Sequence, residues 1–442
     1  MFLEQMNSDF LKNKLQKASS FQMSLFAALM AFLVYSSMYA FRKPFAVATF
    51  SNESFLGLDY KVWLIFAQTL GYMASKFYGI KKISELKEQG RARLILSLIG
   101  VSALGLVGFA LVKGPLGILF FVLNGFPLGL IWGIVFHFLE GRRYTEMMGA
   151  VLAASFVFSS GFVKSVGQYL LQNWGVSEYW MPFLTGMVFF PLLGISVWML
   201  NQIPAPSQED KAMRSSRPPM EGKDRSSLWR EFRPGIILMI LVYMMLTGLR
   251  DLRDNFVVEI WQGLNITADP GLLSQTEIPI TLLMLGLMSL LVLVKNNKKA
   301  FFLNHWIIIS GFSISILATL ALQSGILPPF AWMVLVGAGV YMAYIPFNCL
   351  LFDRMIATFK SVGNVGFLMY LIDSFGYLGS SMILFAKQMG GLEQVSWLNF
   401  YTESVLVFLT ISLVLMAGSF MYFQRKLKRK ENSVMTEFSL IN

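Results

Sequence analysis

The sequence predicts an all-α membrane protein of twelve transmembrane helices in two six-helix halves, and three observations carry that prediction. Composition is the first: 55% of the residues are hydrophobic and 14% charged, with a mean hydropathy of +0.59, whereas an ordinary soluble chain is about 25% charged. The second is that apolar stretches long enough to cross ~30 Å of hydrocarbon, about 20 residues each, recur along the whole chain. The third is the placement of Lys and Arg, which gather in short segments between those stretches.

The first six stretches fall near 22–48, 61–80, 94–112, 117–139, 147–171 and 180–201, and the second six near 235–258, 276–294, 304–323, 327–350, 363–387 and 400–423. Between the sets, 202–234 holds Pro204, Pro206, Pro218, Pro219, Pro234 and many charges, a composition that solvates well and packs poorly. The chain therefore divides into an N-terminal half over 1–201, a linker over 202–234, a C-terminal half over 235–423 and a tail over 424–442. Cations concentrate on the cytoplasmic side of membrane helices. Placing the N-terminus, alternate loops, linker and C-terminus in the cytoplasm accounts for 27 of the 36 Lys and Arg residues. This predicts both termini inside, in a bacterial inner (plasma) membrane.

Several classes of function drop out. The formal charge of +11 lies in loops rather than in a basic, aromatic-interleaved surface, which argues against nucleic acid. The single cysteine, Cys349, permits neither an intrachain disulfide nor a cysteine metal cluster. Lys12, Lys14 and Lys17 ahead of the first apolar run resemble a signal peptide, but the run is long and has no convincing small-residue cleavage site, so it reads as a retained helix. No Walker P-loop or other cofactor motif is present, and the spans lack a nucleophile and base or a metal-ligand cluster. The expectation is a non-enzyme without cofactor.

Of the nine remaining cations, Lys61, Lys113 and Lys387 lie at outer ends of helices, which leaves Arg42, Lys43, Lys76, Lys164, Arg250 and Arg253 in apolar surroundings. A cation at the centre of a spanning helix costs about 2.5–3.5 kcal/mol on insertion scales. Arg42, with Tyr35 and Tyr39 at helical spacings of seven and three, reads as an anion site; the alternative is snorkelling to the outer interface. Lys76 shares a polar face with Gln68 and Tyr72 and has the same alternative toward the cytoplasmic interface. In the seventh span Tyr243 precedes Arg250 by the same seven residues that separate Tyr35 from Arg42. If the halves are repeats, the two arginines face one another across a central cavity, and a pair of planar guanidiniums suits a phosphate or carboxylate.

Asp251 and Asp254 could instead neutralise Arg250 within its own helix. Lys164 and Asp373 occupy equivalent places in the fifth and eleventh spans and carry three readings: an inter-half salt bridge that makes and breaks, a proton carrier at Asp373, or two locally satisfied buried charges. Weaker candidates are His137 beside Glu140, the helical face of Tyr341, Tyr344 and Asn348, and the Asp353–Arg354 helix end.

These features resemble the major facilitator superfamily over essentially the whole chain: six plus six helices, a charged linker, and basic loops after the second and eighth helices. The string Tyr39-Ala40-Phe41-Arg42-Lys43-Pro44-Phe45, with Ser75-Lys76-Phe77 and Leu249-Arg250, is similar to the organophosphate:phosphate antiporter branch. That resemblance implies phosphate-binding roles for Arg42, Lys76 and Arg250. The loop from Gly79 to Leu86 is a degraded form of the superfamily's loop motif, and Lys164 stands in the region where the branch carries a histidine.

The expected function is secondary transport by alternating access of a small anionic organic solute, phosphorylated ones included, in exchange for inorganic phosphate as the resemblance suggests. Tyr35, Tyr39, Tyr72, Tyr243 and Lys164 would join the three cations at the substrate, while Asp373, Lys164 and Asp254 would couple or gate. The rivals are a proton-coupled symporter of a carboxylate, peptide or sugar, and a non-transporting receptor or scaffold. The lipid bilayer is an expected partner, and oligomeric state stays open.

Overall fold

The computed structural model describes residues 12–51, 53–84, 89–140, 142–206, 222–361, 365–392 and 394–441. Among them, the first six long helices are α1 (Ser20–Tyr39), α2 (Tyr60–Ser84), α3 (Arg91–Leu111), α4 (Pro115–Leu139), α5 (Thr145–Trp174) and α6 (Met181–Leu200). The second six are α7 (Gly222–Asn255), α9 (Pro270–Val292), α10 (Asn297–Gln323), α11 (Pro329–Cys349), α13 (Val365–Met389) and α14 (Trp397–Ile441), with short helices α8 (Val257–Gly263) and α12 (Leu351–Phe359) between them. Eleven of the twelve are long and apolar enough to cross a membrane. The twelfth, α2, has the length but carries Lys61 at its start and Gln68 and Lys76 in its interior. Helices suit lipid because each satisfies its own backbone hydrogen bonds. The outward faces carry Leu104, Leu119, Ile195, Leu282 and Val414, all exposed, as lipid-facing surfaces require.

Three boundaries differ from the sequence expectation. The first span does not run helically to residue 48: α1 stops at Tyr39, and a 3₁₀ turn covers Pro44–Val47. Pro44 has no N–H to continue the helix and disfavours helical geometry at Lys43. The seventh helix starts at Gly222 and absorbs Pro234, so the linker expected over 202–234 is helical beyond 221. The tail expected after 423 continues α14 to Ile441, because its Lys, Arg and Glu residues are good helix formers. Residues 207–221 of the linker and 85–86 of the loop motif lie outside the described residues.

Packing groups the helices into two compact units that do not follow chain order. The first comprises the described residues within Met1–Ser216, Leu252–Val292 and Ile383–Phe400. The second comprises those within Arg217–Asp251, Leu293–Met382 and Tyr401–Asn442. In the first unit α2 approaches α4 closely at Gly125, where a Cβ would sit 2.2 Å from the Gln68 carbonyl oxygen. In the same unit α9 approaches α5 at Gly161, where a Cβ would meet Glu277 Cγ at 2.5 Å.

A two-residue-per-strand hairpin, β1 (Ser54–Phe55) with β2 (Leu58–Asp59), follows the 3₁₀ turn. Glu178 fixes this segment by accepting from the Thr49 and Phe50 N–H groups at 2.8 and 3.1 Å. Tyr179 donates to Glu53 beside it. Burial and the Glu53 carboxylate hold the Tyr179 hydroxyl above its ordinary value, so it keeps its proton at physiological pH.

Candidate functional site

The break after α1 builds the first cluster. Ending the helix strands carbonyls that the apolar core cannot hydrate. Asn124 Nδ2 donates to the Phe41 carbonyl at 3.0 Å, and Gln68 Nε2 donates to the Arg42 carbonyl at 3.0 Å. Gln68 also donates to Asn124 Oδ1 at 2.8 Å. Two helices, α2 and α4, therefore fix the turn from which Arg42 and Lys43 project.

Arg42 and Lys43 are both buried and serve different neighbours. The Arg42 guanidinium lies 3.9 Å from the Tyr72 ring centroid and 5.8 Å from that of Tyr39. Lys76, one turn after Tyr72 on α2, places Nζ 5.3 Å from the same Tyr72 ring. Such contacts stabilise desolvated cations by up to about 2 kcal/mol. Tyr35 packs against the same cluster, its ring tilted 5.4 Å from Tyr39 and edge-on at 5.2 Å from Trp132 and 5.3 Å from Phe156. The sequence placed Tyr35 and Tyr39 with Arg42, and Tyr72 with Lys76; the structure brings the two sets together at the Tyr72 ring, and Tyr243, Arg250 and Lys164 lie elsewhere. The sequence reading missed Trp132, Phe156 and Asn124, which carry no charge to mark them within apolar runs.

Lys43 turns instead to Asp254 at the end of α7. Asp254 pairs with Lys43, accepts from Lys164 Nζ at 2.6 Å, and receives the Ser160 hydroxyl. Lys43 also donates to Asn255 Oδ1 at 3.0 Å, and Lys164 to the Asp254 carbonyl at 2.8 Å. Lys164 is only 2% exposed. One carboxylate thus serves two buried ammonium groups. Two further ion pairs lie in the same unit: Lys61 with Glu259 at 2.5 Å and Arg253 with Glu277 at 2.7 Å. Lys61 stands at the end of α2, as its second residue, but is buried in its ion pair. It is 2% exposed and also donates to the Ala46 carbonyl at 2.8 Å. Lys113 and Lys387 do sit near aromatic rings at helix ends, at 5.4 Å from Tyr179 and 4.3 Å from Trp397. The acids Glu259 and Glu277 were missed, although both are readable at the edges of spans. Counting them narrows the cation excess that the sequence suggested.

The second unit holds the remaining candidates. Tyr243 donates to Asp373 Oδ1 at 2.7 Å and accepts from Asn348 Nδ2 at 3.1 Å, and its ring stacks on Tyr344 at 5.2 Å. Arg250 lies 4.2 Å from the Tyr344 ring centroid and binds the carboxylate of Asp251 at 2.6 Å, which Ser380 also bonds at 2.7 Å. Arg250 is thus neutralised by its sequence neighbour rather than by Asp254 one turn on. Of the two residues that carried three readings, Lys164 pairs with Asp254 inside the first unit, and Asp373 accepts from Tyr243 inside the second. His137, the weaker candidate on α4, faces Arg91, whose guanidinium lies 2.8 Å from Nδ1. Among the described residues no group of three His, Cys, Asp or Glu side chains could hold a metal ion.

A family model described as "Family of unknown function (DUF5690)" matches residues 44–426, most of the chain. The chain belongs to the DUF5690 family. No curated protein matches this DUF5690 member in sequence. Solved structures resemble it in fold. A nucleoside transporter, NupG, aligns at 14% identity and TM-score 0.59, covering 91% of this chain and 99% of that one. A bacterial homologue of the human drug peptide transporters PepT1 and PepT2 aligns at 13% identity and TM-score 0.58, covering 93% and 100%. The major facilitator superfamily proton:xylose symporter XylE, bound to 6-bromo-6-deoxy-D-glucose, aligns at 12% identity and TM-score 0.56, covering 90% and 94%. This DUF5690 chain therefore has the major facilitator fold, that of a multi-pass integral membrane protein.

Proposed function

We propose that this protein is a secondary active transporter that moves a small anionic organic solute across the membrane by alternating access. The observation that carries the reading is the convergence of Arg42 and Lys76 on the single ring of Tyr72, with both cations buried. Two desolvated cations around one phenol attract a dianion such as a phosphate monoester more strongly than a neutral sugar or nucleoside. Arg42 would supply the bidentate fork, and Lys76 a second charge. The major facilitator fold supports transport as the activity, and the resemblance of the Arg42, Lys76 and Arg250 strings to organophosphate:phosphate antiporters supports phosphate as the counter-substrate. Arg250, already bound by Asp251, would act only after exchanging that carboxylate for substrate. The cation distribution supports both termini in the cytoplasm, of a bacterial inner membrane in this reading, and the six-plus-six hydropathy pattern supports 1–201 and 235–423 as the two moving halves.

The test is ligand-dependent thermal stability of the purified protein, followed by uptake into proteoliposomes preloaded with phosphate. An organophosphate or phosphate should raise the melting temperature, and Arg42→Ala should abolish the rise. No shift with any phosphorylated compound would remove this substrate class.

A second reading rests on Asp373, which accepts from Tyr243 at 2.7 Å inside the second unit. A half-buried carboxylate beside a phenol suits a proton carrier, and proton-coupled symport of a carboxylate, peptide or sugar follows from it.

A further inference from the structure

Helices α10 and α14 lie side by side in the second unit, and their contacts fix an antiparallel register. Lys298 pairs with Glu431 at 2.8 Å, the Phe301 ring lies 5.2 Å from Phe423, and the rings of Phe302 and Trp306 lie 5.2 and 5.7 Å from Phe420. Each step up α10 thus meets a step back along α14. The seam changes character along its length. At the Trp306 level it is open and apolar: Trp306 is 56% exposed, and Leu303 and Met421 are exposed with it.

The charged end of the same seam carries three cations. Lys299 stands two turns before Trp306 on the same face of α10, and Arg425 and Lys428 follow Met421 by four and seven residues on the outward face of α14. At a rise of 1.5 Å per residue, Lys299 lies about 10 Å beyond Trp306, and Arg425 and Lys428 lie about 8 and 12 Å beyond Phe420. The three therefore come to one level. All three are exposed, and among the described residues none of their side chains has a hydrogen-bond or ion-pair partner. Glu431, the acid at this level, is held by Lys298.

The backbone beneath these side chains is fixed. Asn296 caps the first turn of α10 by accepting from the Lys299 N–H at 3.0 Å, and Phe423 and Leu427 are buried on the opposite face of α14 from Arg425. An exposed Trp suits the boundary between hydrocarbon and headgroups, and basic side chains just beyond that boundary attract anionic lipid. Cations that only orient a chain need no particular position along a helix. Here they stand about one headgroup's depth beyond an exposed indole. A soluble phosphate would use the cations and leave Trp306, Leu303 and Met421 uncovered, whereas an amphiphile covers both.

We propose that the seam between α10 and α14 is a binding site for an anionic phospholipid, its phosphate held by Lys299, Arg425 and Lys428 and its acyl chains lying on Trp306, Leu303 and Met421. The Arg425 fork binds two phosphate oxygens, and the two ammonium groups act as point charges beside it. A zwitterionic lipid brings its own cation to three unneutralised charges and is disfavoured. The site is separate from the solute site and needs no solute to be filled.

The experiment reconstitutes the full chain in bilayers of phosphatidylcholine and phosphatidylglycerol, one or the other brominated near the glycerol end of its acyl chains, and reads bromine quenching of tryptophan fluorescence. Subtracting the quenching that remains in Trp306→Phe, made in each background, isolates the lipid beside Trp306. Phosphatidylglycerol should be preferred over phosphatidylcholine at least about five-fold, and Arg425→Gln alone should lower that preference at least about two-fold. Lys299→Gln/Arg425→Gln/Lys428→Gln should bring it close to equality, while Lys299→Arg/Arg425→Lys/Lys428→Arg should keep it. Arg233→Gln, which removes an exposed cation of α7 in the same unit, should also keep it. The readout is local to Trp306 and is made without solute, so it stands or falls apart from the role of Arg42. Equal quenching by the two lipids in the wild type, a preference that survives loss of the three charges, or one lost as fully in Arg233→Gln would each overturn the proposal. Relief of the quenching by glycerol phosphate would overturn it too, by assigning the cations to a soluble anion.

Discussion

Asp254 sits between the ammonium groups of Lys43 and Lys164 with the Ser160 hydroxyl on the same carboxylate, and removing it leaves two buried cations facing each other. Breaking a buried ion pair by deleting one partner costs about 3–5 kcal/mol, while replacing the whole set with apolar groups is often neutral. Asp254→Asn should therefore lower the melting temperature of the purified protein steeply, and Lys43→Met/Asp254→Leu/Lys164→Met should recover most of the loss. A triple variant no better than the single one would show that the carboxylate does not act through the two lysines. The sequence showed each of these charges but not who meets whom. Lys43 and Asp254 are 211 positions apart, and equivalent places in the two halves suggested Asp373 for Lys164. Pairing is decided by where a chain break aims a side chain, and Pro44 set that aim.

Helix α2 is the element on which the candidate site depends, because it supplies Gln68, Tyr72 and Lys76 along one face. Its contact with α4 leaves no room at Gly125, where a Cβ would meet the Gln68 carbonyl oxygen at 2.2 Å. Gly125→Ala should push the helices apart and cost about 1–3 kcal/mol, the usual range for overpacking. Since Gln68 also holds the Arg42 carbonyl, the same change should weaken ligand-induced stabilisation, whereas Gly100→Ala, with open space around it, should do neither. Hydropathy made helices such as α3 and α4 readable within a few residues. It could not place the end of α1 at Tyr39, since Pro44 to Ala48 is apolar and counts as span whether or not it is helical. The helical reach of α7 and α14 into charged sequence was likewise invisible to a scale that scores apolarity, although their Lys, Arg and Glu residues favour helix.

Across the whole molecule, two polar centres ask for different driving forces. Arg42 and Lys76 around Tyr72 suit exchange of one anion for another, which needs no titrating group. Asp373 beneath Tyr243 suits proton movement. The fold was legible because a six-plus-six hydropathy pattern with a polar linker has few alternatives, but coupling was not, because it depends on which buried carboxylate changes its proton during the cycle. Topology comes first: cysteines introduced at Gly114 and Gly175 in a Cys349→Ala background should react with an impermeant reagent from outside whole cells, and one at Gly90 should not, as the cation distribution requires. The driving force is then measured in proteoliposomes preloaded with phosphate. Under anion exchange, uptake needs internal phosphate, is indifferent to an imposed pH gradient, survives Asp373→Asn and is lost in Arg42→Ala. Under proton symport, uptake follows the pH gradient without internal phosphate, and Asp373→Asn abolishes that dependence while leaving counterflow of labelled solute. The Arg42 cluster predicts the first pattern, and uptake that tracks the proton gradient through Asp373 would transfer the coupling role to the second unit.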